Sequence, residues 1–166
     1  MNIRAFLLPI GVWQGVAHYK QALERQVKYE AARAYADSIG KPLLVVGGPW
    51  GANPFRSLLK IPAHGCGDVC IDIHPEACEG CSNTVEADIR DIPFPDKYFG
   101  AALASHILEH LPTVDNCERA ISELHRVANA VYVAGPSKQS ILAWLIPEHR
   151  LWVTQKQDGA IEIEQR

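Results

Sequence analysis

The chain lacks an excess of either charge: 16 lysines and arginines stand against 19 aspartates and glutamates, a net charge of −3. That balance gives no electrostatic case for nucleic acid or an anionic membrane as the main partner. It also lacks an unbroken apolar run of the ~20 residues that a membrane span requires. The nearest approach, Ala5 to Ala17 behind Arg4, is interrupted by Pro9, Gly11, Gln14 and Gly15 and shows no leader cleavage site. Membrane association through residues 5–17 is therefore the less favoured reading. Internal repeats and low-complexity tracts are absent too. The five cysteines are an odd number, which argues against a complete disulfide framework and for a reduced, cytoplasmic protein.

At 166 residues the chain suits one domain over 1–166, with a helical cap over 1–40 and a core over 41–166. Between His18 and Ile39, Ala22, Leu23, Val27, Ala31, Ala34 and Tyr35 recur at helical spacing, and Gly40 and Pro42 stop the helix. Leu43 to Val46 is a short continuous apolar run entering glycines, as in a strand buried on both faces of a parallel sheet. Further strands are expected at Asp68–Ile73, Thr84–Val85, Phe99–Ser105 and Ala130–Ala134, with crossover helices over Asn53–Leu59, from a capping box at Asp115 and Glu118, and over Ser137–Leu145. Leu151–Thr154 and Ile161–Glu164 flank Asp158-Gly159 as an antiparallel hairpin. The fold class is α/β: a Rossmann-like, doubly wound, mostly parallel sheet with helices on both faces and a C-terminal hairpin.

In such sheets a ligand lies at the carboxyl ends of the strands, where the strand order reverses. Gly47, Gly48 and Gly51 follow the first strand, so backbone can approach a ligand there. Asp72 ends the second strand at close to the ~20-residue separation expected of a ribose-binding carboxylate. The plainer reading is a tight turn, with Asp72 capping the next helix. His106-Ile-Leu-Glu109-His110 spells H-x-x-E-H, a zinc-hydrolase pattern, but Pro112 leaves no long helix to carry it. Cys66, Cys70, Cys78 and Cys81 fall close together, and Cys78-Glu-Gly-Cys81 has C-x-x-C spacing. Cys70, however, lies in an expected buried strand, pointing away from its neighbours. The expectation is therefore packing cysteines and no metal.

The run Glu86-Ala-Asp88-Ile-Arg-Asp91-Ile-Pro-Phe-Pro-Asp96, continuing to Ser105-His106 and Leu108-Glu109-His110, resembles the middle of class I S-adenosylmethionine (SAM)-dependent methyltransferases, in particular the type 11 group. The likeness covers roughly Leu43 to Pro136. It implies SAM as cofactor and methyl transfer to an acceptor that the sequence does not identify. Carried onto matching positions, it implies cofactor contacts from Gly47, Gly48, Pro49, Gly51, Asp72 (on the ribose), Ile73, Asp88 with Ile89 (at the adenine) and Ser105. His106 borders the methionine end as candidate base, with Glu109 and His110 as alternatives. Three positions depart from the pattern: Val45 where an acidic residue is usual, Pro49 in place of the middle glycine, and Gly100 after Phe99. The Gly-Gly turn is also missing, replaced by Arg126 to Ala130. These departures keep open a second reading, a non-catalytic binding or scaffolding module on the same fold.

Overall fold

A computed structural model describes residues 4–50, 58 and 62–166, with side chains from residue 9 onward. Helix α1 (Arg4–Ser38) opens the chain. It starts well before the expected His18 and absorbs the apolar segment and Pro9, whose missing N–H costs one intrahelical bond. Its end is as expected. Gly40 takes φ +64° and Lys41 N–H returns to the Ala36 carbonyl at 3.1 Å, satisfying a carbonyl the last turn would leave open.

Five parallel strands follow: β1 (Leu43–Val46), β2 (Val69–Asp72), β3 (Thr84–Glu86), β4 (Phe99–Ser105) and β5 (Ala128–Ala134), in the order β3-β2-β1-β4-β5. Side chains alternate across a strand, and here the alternation divides the core in two. Leu43, Val45, Ala101 and Leu103 pack with Ala32 and Ala36 of α1 on one face. Leu44, Val46, Ala102 and Ala104 pack on the other with Cys117, Ala120, Leu124 and Val127 of α2 (Val114–Val127). Burial on both faces is why these strands read as continuous apolar runs. The N-terminal helix thus lies across the face of the central strands, not along an edge.

Helix α2 is capped by Thr113, whose Oγ accepts the Asn116 N–H at 3.2 Å. This corrects the expected start at Asp115, which sits in the first turn, where its charge suits the positive helix end. The helix passes into β5 without a glycine turn. Lys97 supplies the stop, its Nζ donating to the His125 and Ala128 carbonyls at 2.5 and 2.8 Å. Arg126 clamps the Pro-Phe-Pro-Asp loop by donating to the Ile92 and Phe94 carbonyls and to Asp96.

Helix α3 is shorter than expected, Ile141–Leu145, capped by Ser140. The hairpin β6 (Leu151–Gln155) and β7 (Ile161–Gln165) forms a separate two-stranded sheet. Gln155 couples it to the edge of β5, accepting the Val133 N–H and donating to the Val131 carbonyl. Among the described residues no helix is long and apolar enough to cross a membrane.

Gly100 has a packing reason. A Cβ there would lie 2.7 Å from the Ala36 Cα, so a carboxylate at the following atoms would be driven into α1. Gly100→Ala tests the contact. Restricting the unfolded chain would add roughly 0.4–1 kcal/mol, but overpacking against backbone costs about 1–3 kcal/mol. Overpacking should win, with a lower urea midpoint; an unchanged or raised midpoint would contradict this packing.

Candidate functional site

The carboxyl ends of the strands open onto a cavity of ≈ 1520 Å³. Single-ligand sites usually enclose roughly 300–1,000 Å³, so a cofactor and a second molecule have room. Helix α1 contributes His18, Gln21 and Ala22 to the wall, the segment after β4 contributes Ser105 to Pro112, and Ser140, Ile146 and His149 come from the C-terminal part.

Gly47 leaves β1 at φ +79°, its N–H donating to the Ile71 carbonyl at 3.1 Å. A Cβ there would lie 2.5 Å from the Ser105 carbonyl oxygen. A Cβ on Gly48 would collide with the Ala77 carbonyl. Both glycines are therefore required by protein backbone passing close to them, the tight-turn role read from sequence, while also lining the cavity. The Pro49 carbonyl accepts the Ala63 N–H at 2.7 Å, and the Trp50 indole donates to the Glu79 carbonyl at 2.6 Å. The turn is thus braced on neighbouring loops. Gly51 and nearly all of the expected Asn53–Leu59 helix lie outside the described residues. Val45 is sealed in the apolar layer under α1, where an acidic side chain would have no solvent.

Asp72 closes β2 facing the cavity, only 7% exposed. One carboxylate oxygen accepts the His74 N–H at 2.8 Å. Burial pushes its carboxyl above the usual range, and hydrogen bonds from the neighbouring backbone offset only part of the shift. Ile73 is exposed beside it, and both line the wall. Asp88 also faces the cavity, but Arg90 already holds it through Nε at 2.9 Å and Nη2 at 2.5 Å, keeping its carboxyl below the usual range. Ile89 is buried against the core.

The end of β4 carries the most unusual chemistry. The Ser105 Oγ is buried without a hydrogen-bond partner among the described residues. His106 has φ +54°, a left-handed conformation that costs a non-glycine residue of order 1 kcal/mol and recurs at functional sites; Lys97, in the loop before β4, shares it at φ +53°. Its N–H is fixed to the Ala134 carbonyl at 2.8 Å. The imidazole lies between Glu109, 3.1 Å from Nδ1, and the Gln21 amide nitrogen, 3.2 Å from Nε2. A carboxylate accepts and an amide N–H donates, so both contacts select the same tautomer: proton on Nδ1, lone pair on Nε2.

Glu109 is almost wholly buried. Burial would raise its carboxyl, but the hydrogen bond from His106 and the electrostatic influence of the two neighbouring imidazoles outweigh it and hold it below the usual range. Its second oxygen has no partner among the described residues.

The H-x-x-E-H segment is not an α-helix. Leu108–His110 is a single 3-10 turn, so His106 and His110 do not share the helical face that a zinc-hydrolase pattern needs. His110 instead meets His149, ring centroids 4.9 Å apart, and one ligand atom each of Glu109, His110 and His149 lies within 4.8 Å of the others. Burial keeps the His149 imidazole below its usual range. Gln21 and His149 are not legible as site residues in the sequence. Gln21 is an ordinary polar position on a helix, and His149 arrives from beyond α3 with only Pro147 nearby to mark a turn.

The resemblance read from the sequence is borne out: residues 51–130 match a family model described as a methyltransferase domain. No curated protein matches the chain. Among solved structures, a SAM-dependent methyltransferase from Archaeoglobus fulgidus is 23% identical, with a TM-score of 0.46, over 75% of this chain and 61% of its own. A protein from Pyrococcus horikoshii is 17% identical, with a TM-score of 0.42, over 85% of this chain and 70% of its own. The chain therefore spans about 61% of the length of the first of these structures.

Asp72 yields a test of the site's electrostatics without any ligand. An acid whose folded pKa is raised contributes stability in its protonated form, fully present below the unfolded value and lost as pH rises through the folded one. Wherever Asp72 is ionised in the folded protein its charge is thus a burden, and Asp72→Asn removes the charge while keeping an acceptor for His74. Melting curves should show the variant more stable than wild type at neutral pH, the gap closing as pH falls through the carboxylate range. A variant less stable at neutral pH, or a gap independent of pH, would contradict the assignment.

Proposed function

We propose that this chain is a SAM-dependent methyltransferase that binds its cofactor across the carboxyl ends of β1 to β4 and takes its acceptor between α1 and the segment after β4. One observation carries the reading: Asp72, buried and with its carboxyl pushed above the usual range by that burial, stands at the end of the strand next to β1 and faces the cavity. A buried carboxylate stays costly even with backbone donors around it, and further hydroxyl donors from a ligand lower that cost. Two vicinal ribose hydroxyls do that. The orphaned Ser105 hydroxyl fits the polar methionine end in the same way.

When bound, SAM supplies an activated sulfonium methyl, so the protein's task is alignment and exclusion of water. Asp72 would hold the ribose, with Ile73 beside it. Ile89 would form an apolar floor for the adenine, and Asp88 would accept its amino group once Arg90 shares the carboxylate. Gly47 allows the close approach of the turn after β1 to Ser105 and Gly48 its approach to Ala77, while Pro49 donates no N–H. His106 has the orientation of a general base, because buried Glu109 fixes Nδ1–H and leaves the Nε2 lone pair toward Gln21. Moving Gln21 aside would let Nε2 accept a proton from the acceptor. A carboxylate that orients an imidazole is the arrangement by which histidine is held in a reactive tautomer.

The second reading, a binding module without methyl transfer, draws on the braced turn, where Pro49 and Trp50 are engaged with Ala63 and Glu79. Calorimetric titration with SAM and with S-adenosylhomocysteine separates the two. Both should bind the wild type, and Asp72→Ala should weaken each by about 1.5–3 kcal/mol, the range for hydrogen bonds to a charged group. His106→Asn should leave binding in place while abolishing turnover. Failure of both ligands to bind wild type at millimolar concentration would sink the enzyme reading.

A further inference from the structure

Four of the five cysteines share the core layer beneath α1, and three of their sulfurs lie within 4.8 Å of one another. Cys66 and Cys81 are joined as a disulfide with Cα atoms 5.5 Å apart, which corrects the expectation that the cysteines are unpaired. The Cys70 sulfur lies within 4.8 Å of both. Cys78 stands outside that group of three, with its thiol next to that of Cys70. Cys70 does not point away from the rest, as the strand pattern suggested. It shares the α1-facing layer with Cys66, Cys78 and Cys81. Cys117 stands apart on α2, in the other core layer.

We propose that Cys66, Cys70, Cys78 and Cys81 form a tetrathiolate zinc site, and that the Cys66–Cys81 disulfide is its oxidised, metal-free form. The disulfide uses two of the four cysteines and leaves the buried Cys70 and Cys78 thiols free in the same layer. Zinc takes four thiolates at ≈ 2.3 Å, placing sulfurs about 3.8 Å from one another. The Cys70 sulfur already lies within 4.8 Å of both disulfide sulfurs, opening the S–S bond lets those two separate, and Cys78, next to Cys70, closes in as the fourth ligand.

The local backbone is that of a chelating turn. From Cys78 to Cys81 the chain forms a hydrogen-bonded turn, Cys81 N–H to Cys78 carbonyl at 3.0 Å, with Glu79 at φ −53°, ψ 133° and Gly80 at φ +85°. Those angles are type II, which brings the first and fourth residues together and needs glycine third. The Gly67 N–H donates to the Cys70 sulfur at 3.3 Å, the kind of backbone donor that stabilises a thiolate ligand. Tyr29 and Arg33 of α1 fix the Cys66 carbonyl at 3.0 and 3.4 Å, placing a guanidinium beside the site's negative charge.

The position also explains why a staple belongs here. Parallel strands are ordinarily joined by a crossover helix that packs back on the sheet. Between β2 and β3 stands only the 3-10 turn Pro75–Cys78 and a loop. A metal bridging the approach to β2, β2 itself, that turn and the loop to β3 would hold the sheet edge in the helix's place. Conversion between the two forms balances through a dithiol reductant. The reductant's thiols give two electrons and two protons to the S–S bond, which breaks to two thiols while the reductant closes to its own disulfide. The four cysteine thiols then release four protons as one zinc ion binds.

The test uses the full chain kept under a dithiol reductant, stripped of metal and reconstituted with zinc sulfate or cobalt chloride. Elemental analysis should find one zinc per chain, cobalt should give the charge-transfer and d–d absorption of a tetrahedral all-sulfur site, and chelator should lower the melting temperature. Cys70→Ser should lose stoichiometric zinc, whereas Cys117→Ser should keep it. Should Cys70→Ser fail to fold, the cobalt spectrum and the chelator response of wild type decide by themselves. Reduced wild type without stoichiometric zinc, a cobalt spectrum lacking thiolate charge transfer, or zinc retained by a folded Cys70→Ser would overturn the proposal.

Discussion

The reversal of strand order between β1 and β4 dictates where everything else at the cavity can stand. From β1 the chain proceeds outward to β2 and β3; from β4 it proceeds outward to β5. The connections leaving β1 and β4 therefore part company, and the strand ends between them stay uncovered, which is where open parallel sheets bind ligands. Gly47 turns away beneath the Ser105 carbonyl at a distance that excludes any side chain. That contact ties the two halves of the sheet together at the floor of the cavity, and Asp72, Ser105 and His106 are all positioned relative to it.

Around the floor, several groups are held in states that folding alone would not select. Asp72 is a buried carboxyl pushed above its usual range, and His106 is in a left-handed conformation. Ser105 Oγ and Glu109 Oε2 lack partners among the described residues. Unsatisfied buried polar groups and strained backbone concentrate where a protein gives up stability for preorganised chemistry. Ser105, His106 and Glu109 bring such features together at the carboxyl end of β4. The core layers on either side are apolar and closely packed, and they supply the rigidity that such a site requires.

Much of this is legible in the sequence because parallel strands buried on both faces announce themselves as short apolar runs. Leu43–Val46 and Phe99–Ser105 are the strands expected, residue for residue. Asp72 can be placed because a strand end is a local feature. The departures at Val45 and Gly100 stand out in the sequence as exceptions without a visible cause. Their cause is α1, whose Ala32 and Ala36 lie directly on that face of the sheet, a contact between distant segments. The full reach of α1 is hidden because Pro9 and the glycines imitate a boundary. Asp115 and Glu118 offer the more familiar capping pattern, yet the hydrogen bond goes to Thr113. The cysteine cluster and the His110–His149 contact depend on how loops fold over the sheet, which spacing along the chain does not encode.

A crystal structure with S-adenosylhomocysteine bound would decide whether this cavity is a cofactor site built around Asp72. The ribose hydroxyls should lie about 3 Å from the Asp72 carboxylate, with the adenine over Ile89 and the sulfur end directed toward Ser105 and His106. A ligand bound elsewhere, or one in this cavity with the ribose away from Asp72, would contradict that assignment.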